Sequence, residues 1–178
     1  MPEGRRQWNA DAKAKEAEAA FREKARSFNE ADLQNREFGA LICEFSSGQI
    51  ALGPIEAGDP ILDSNGNAIS YPGGLPTVPI APGGCGSGTP IGYVHSHPGL
   101  GTGIPSNPDF AFAKHLKDYY GAPDNVGIYV VSQYQHSQTG AYKTGVGRAS
   151  LSDETAANQG TLEPEWVNPE ATPCPGDS

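Results

Sequence analysis

Ile91-Gly92-Tyr93-Val94-His95-Ser96-His97-Pro98, followed after seven residues by Ser106-Asn107-Pro108-Asp109, is the stretch from which the rest of this chain is read. Successive side chains of a β-strand point to opposite faces, so a strand over Ile91 to His97 puts His95 and His97 on one face, about 7 Å apart along the backbone. Two imidazoles then converge on one point. Pro108 suits the first turn of a helix, where its missing N–H costs nothing, and Asn107 before it is a natural N-cap. Asp109 then lies in the first helical turn. Two histidine nitrogens and one carboxylate oxygen on rigid elements are the three protein ligands of a catalytic zinc site, with a fourth position left for water.

His-x-His alone is a weak signal, because on a half-buried strand two such rings more often pack or hydrogen-bond than hold a metal. The neighbouring residues sharpen it. Pro98 is expected to end the strand just past the second histidine, and Gly99, Gly101 and Gly103 give a pliable return to the helix carrying the third ligand. His95-x-His97-Pro98, seven residues, then Ser106-x-x-Asp109 matches the signature of the JAMM (MPN+) metalloproteases, and the chain resembles that family from Glu37 to Val131. The resemblance implies zinc (Zn2+) held by His95, His97 and Asp109, with Ser106 beside the scissile carbonyl and an upstream glutamate as general base. Glu37-Phe38-Gly39-Ala40-Leu41-Ile42 looks like that upstream element, with Ala40 where the family has Gly. Asn35-Arg36-Glu37-Phe38-Gly39 is especially similar to the bacterial JAMM-like domains of polymorphic toxins and secreted proteins.

Glu37 stands at the start of an expected hairpin, Leu41-Ile42-Cys43 and Gln49-Ile50-Ala51-Leu52 joined through Ser46-Ser47-Gly48. Glu44 is the rival base. It sits further along the strand, where a solvated edge position accounts for it, so Glu37 is favoured to come within hydrogen-bond reach of a metal-held water. Ser106 has its own alternative: capping the helix with no part in the chemistry.

The 178 residues are read as an N-terminal helical extension (1–35), a JAMM-like domain (36–150) with a Gly/Pro-rich insertion (53–90), and an acidic Pro-rich tail (151–178) in which Trp166 docks on the domain. Ala14, Ala17, Phe21, Ala25 and Phe28 make an apolar stripe on an expected helix from Asn9 to Phe28, capped by Asn9 or Asp11, with Glu18 and Arg22 as an i,i+4 surface pair. The insertion holds sixteen Gly or Pro in thirty-eight residues. It is expected to have little regular structure apart from a turn at Ser64-Asn65-Gly66-Asn67 and a short strand near Thr77 to Ile80, and it is either a plain surface insertion or one wall of a substrate groove. Pro108 to Tyr120 reads as a helix stopped by Gly121, with His115 on its surface, and Val126 to Ser132 and Gly140 to Val146 read as strands joined through a loop holding His136. Cys43 reads as a buried free thiol, and Cys85 and Cys174 as a pair able to bridge.

Net charge −9 and a pI near 4.8 disfavour nucleic acid and anionic lipid as partners. No apolar run approaches the ~20 residues of a membrane span, and the polar N-terminus is unlike a signal peptide. The expected location is therefore the cytoplasm, or delivery as part of a larger secreted protein. The expected fold is mixed α/β: a curved sheet of about six strands flanked by helices, JAMM/MPN-like and similar in architecture to cytidine deaminases. This implies a hydrolase acting through a metal-activated water on a peptide or lysine isopeptide bond, with a protein or peptide, such as a ubiquitin-like conjugate, as substrate. A metal-binding pseudoenzyme or interaction module, and a zinc amidase acting on peptidoglycan or a small conjugate, stand beside it.

Overall fold

The computed structural model of the chain describes residues 3–30, 33–60, 64–65, 80–100, 103–135, 142–163 and 165–169. The expected Ser64–Asn67 turn beyond Asn65, the strand near Thr77 up to Pro79, His136 and Cys174 lie outside these residues.

Alternating apolar residues build a mixed, mainly antiparallel sheet of seven strands, with helices on both faces. The strands are β1 (Phe38–Glu44), β2 (Ile50–Leu52), β3 (Glu56–Ala57), β4 (Thr89–Leu100), β5 (Gly127–Gln135), β6 (Tyr142–Ala149) and β7 (Glu165–Trp166). Their order is β2-β1-β4-β5-β6-β7, and β3 also pairs with β1. The pair β4–β5 is parallel, and the helix α2 (Asn107–Tyr120) lies between them in sequence, since parallel neighbours need a crossover. β4 therefore runs through the middle of the sheet, between β1 and β5.

The two faces bury different clusters. Helix α1 (Glu3–Ser27) puts Ala10, Ala14, Ala17, Phe21 and Ala25 against Phe38, Ala40, Ile42, Val94, Tyr129 and Val146. It begins earlier than its expected caps. Asp11 instead turns inward, accepting from the Tyr129 hydroxyl at 2.6 Å and pairing with Arg148, while Glu18 pairs with Lys15 and Arg22 bonds Thr144 rather than Glu18. The other face carries Leu41, Tyr93, Val126 and Ile128 under α2, which contributes Phe110, Ala113 and Leu116. The register of β1 against β4 slips between Ile42 and Cys43, and the slip turns Ile91 toward the α1 cluster although Tyr93 faces α2.

Three local expectations need correcting. Pro98 does not end β4, which continues to Leu100; it falls where the pairing with β5 shifts between Ser96 and Leu100, so its missing N–H sits in an irregular part of the ladder. Cys43 is not a free thiol, and Cys85 does not pair with Cys174: Cys43 and Cys85 form a disulfide across 42 residues. Both face the α2 side, where the returning limb of the insertion folds over Leu41 and Gly84 approaches the Leu41 side chain. That proximity is created by the sheet and invisible in the spacing. Past residue 150 the chain is not a bare tail. A 3₁₀ turn (Leu151–Asp153), helix α3 (Glu154–Asn158) and β7 follow, and Val167, not the half-exposed Trp166, is buried.

Candidate metal centre

Period-two alternation along β4 and the first turn of α2 bring three side chains together on the α2 face. His95 Nε2 lies 2.9 Å from His97 Nε2 and 3.1 Å from Asp109 Oδ2, and His97 Nε2 lies 3.3 Å from the same oxygen. Donor atoms held at about 2.0–2.1 Å from one tetrahedral zinc stand about 3.3 Å apart, so this triangle has nearly the spacing such an ion needs. The donor set also fits in kind: two imidazole nitrogens and one carboxylate oxygen. His95 is buried, whereas His97 and Asp109 keep partial access to solvent. The triangle is thus shielded on one side and open on the other.

Asp109 carries the electrostatic weight. Burial alone would push its carboxyl up, but the charge of His95, then hydrogen bonds from His95 and His97, overcome this and hold it well below the usual carboxylate range. The Ser106 main-chain N–H donates to the same Oδ2 at 2.7 Å. Ser106, not Asn107, is the N-cap, so the expectation of a serine uninvolved in capping is corrected: one residue earlier, its extended backbone (φ −83°, ψ 169°) opens the helix and lets Asn107 and Pro108 enter the first turn.

The pairing of β1 with β4 places the candidate base. Gly39 stands opposite His95, so Glu37, two residues earlier and on the same face, falls opposite His97 when the register is continued. Gly39 has no side chain to crowd His95. Glu37 itself is largely buried, and its main-chain carbonyl accepts from Gly58 N–H at 2.8 Å. Arg36 steadies the approach by bonding both Glu30 and the Gly58 carbonyl. Glu44 is on the opposite face, five residues from Gly39 or about 17 Å along the strand, and is salt-bridged to Arg6 at 2.9 Å. It is not brought to the triangle. His115 is exposed on α2 beside Tyr119 and Tyr120.

Several residues with a place in this site carry no sequence signal of their own. Tyr93 donates to the Asp109 carbonyl at 2.5 Å and stacks on the His95 ring at 5.3 Å. Ser96, the spacer between the histidines, accepts the Phe38 N–H on its hydroxyl at 2.9 Å and so anchors β1 next to Glu37. Ser132 follows Val131, the partner of Ser96, and by alternation lies on the same sheet face as His95; its buried hydroxyl and His95 Nδ1 have no hydrogen-bond partner among the described residues. The alternation of β5 alone puts Ser132 on that face. No protein-family model matches this chain, and no curated protein or solved structure does either.

Proposed function

We propose that the chain is a zinc-dependent hydrolase of the JAMM type, cleaving a peptide or lysine isopeptide bond, with its sheet and flanking helices as the family's fold. The observation that carries this reading is the triangle of donor atoms 2.9–3.3 Å apart with a glutamate on the same sheet face. His95, His97 and Asp109 would hold the ion. When bound, zinc would supply a Lewis acid and lower the pKa of the hydrolytic water toward about 7. Glu37 takes the proton of that water as its oxygen attacks the carbonyl carbon, and returns it to the departing amine as the C–N bond breaks. The Ser106 hydroxyl donates to the oxygen that gains charge.

The Cys43–Cys85 disulfide favours an oxidising compartment, and therefore export or delivery over a cytoplasmic location. The same observation keeps a second reading in view, a zinc amidase acting on peptidoglycan. Among the described residues no helix is long and apolar enough to cross a membrane.

The test pairs metal content with turnover. Purified wild-type chain is expected to hold about one zinc, His97→Ala to lose it, and Glu37→Gln to keep zinc and fold while hydrolysis drops by about 10²–10⁴-fold. Each is incubated with ubiquitin-like conjugates, unfolded proteins and peptidoglycan fragments. Glu37-dependent release from peptidoglycan alone moves the function to the cell wall; no release from any of them by zinc-loaded protein leaves a binding module.

A further inference from the structure

We propose that Tyr93 is the positioning residue of the metal centre, setting His95 and Asp109 against one another; this rests on the reading of His95, His97 and Asp109 as ligands. His95 belongs to β4 and Asp109 to α2, so their separation depends on how the helix is seated on the sheet. Tyr93 touches both. Its hydroxyl donates to the Asp109 main-chain carbonyl at 2.5 Å, and its ring lies against that of His95 with centroids 5.3 Å and planes 21° apart. Phe112, three residues after Asp109 on α2, meets the Tyr93 ring edge-on at 4.9 Å.

The hydroxyl is not needed to complete the helix. A carbonyl at Asp109 is already placed to accept the N–H four residues on and has a second lone pair to spare. What the bond adds is a tie between strand and helix at the level of the third ligand, where about 0.5 Å of error loosens a coordination site. The stacked ring limits the tilt of His95, whose Nδ1 finds no partner among the described residues to do so. Ring and hydroxyl together thus fix one ligand by contact and the other by hydrogen bond.

An internal control exists. Tyr129 is as buried as Tyr93, and its hydroxyl is bonded too, at 2.6 Å to Asp11, but it faces α1 on the other side of the sheet. Tyr93→Phe and Tyr129→Phe are compared in the full chain by zinc competition with a chromophoric chelator, by the visible spectrum of the Co2+-substituted protein, and by Tm. Both variants are expected to melt lower. Only Tyr93→Phe is expected to weaken zinc, by about 10–100-fold as for other residues that support metal ligands, and to shift the Co2+ bands. Equal zinc loss in the two variants overturns the proposal, because general loosening then explains it. Should Tyr93→Phe not fold, Phe112→Leu leaves the hydroxyl but releases the ring; several-fold weaker zinc is expected, and wild-type affinity overturns the proposal. A wild-type chain that binds no zinc removes the metal centre and this inference with it, whereas equal zinc binding by wild type and Tyr93→Phe removes the inference alone.

Discussion

Ser106 holds Asp109 Oδ2 through its main-chain N–H at 2.7 Å, a contact that Ser106→Ala leaves in place. The cap and the proposed chemistry can therefore be separated. Ser106→Ala is expected to cost about 1 kcal/mol as a lost N-cap and about 10²-fold in kcat as a lost oxyanion donor, with zinc affinity kept because the N–H remains. Denaturant titration, turnover and chelator competition measure the three in turn, and kcat at the wild-type level would reduce Ser106 to a cap. At this scale the candidate donor set was legible: His95 and His97 share a face because strands alternate, and Asp109 falls in the first turn because Pro108 starts a helix well. The cap was misplaced by one residue. Asn107 and Ser106 have similar intrinsic preference, and Pro108 is accepted at either of the first two helical positions, so local chemistry did not separate them.

The insertion between β3 and β4 is tied at its returning limb, where Cys85 is bonded to Cys43 on β1 and turns at Ala81, Gly83 and Cys85 bring the chain onto the sheet. Closing 42 residues restricts the unfolded chain by about 4 kcal/mol in the chain-entropy account. Cys85→Ser is expected to lower stability by about 2–4 kcal/mol, measured by urea unfolding with and without reductant. Zinc content should change little, since neither cysteine belongs to the donor set. Reductant that leaves the wild-type midpoint unmoved would sink this expectation. The helices α1 and α2 were visible as periodic apolar stripes, but two-residue strands such as β3 and β7 were not: each is held by a neighbour far away in sequence, not by its own pattern.

Across the molecule, one sheet face buries a phenol at the candidate metal centre and the other a phenol under α1, and both should shape the response to alkali. Burial pushes both phenols well above the usual 10, aided by Asp109 and Glu37 at Tyr93 and by Asp11 at Tyr129. The folded chain therefore keeps these protons to higher pH than the unfolded chain does. Their contribution is full below about pH 10 and falls as pH rises further, by up to about 1.4 kcal/mol per pH unit for each phenol. Unfolding followed from pH 8 to 11 is expected to steepen above pH 10 in wild type and less so in Tyr129→Phe; identical profiles would place the alkaline limit elsewhere. The sequence by itself determined the mixed α/β class, the α1 and α2 stripes and the His95, His97, Asp109 donor set, because each depends on a period of 2 or 3.6 residues within a short stretch. Only the tertiary structure decided that Gly39, two residues after Glu37, pairs with His95 while Glu44 pairs with Arg6, that Cys43 meets Cys85, and that Tyr93 bridges strand and helix. Those relations depend on strand register and helix seating, which pair residues distant in the chain and leave no mark in the local pattern of any one segment.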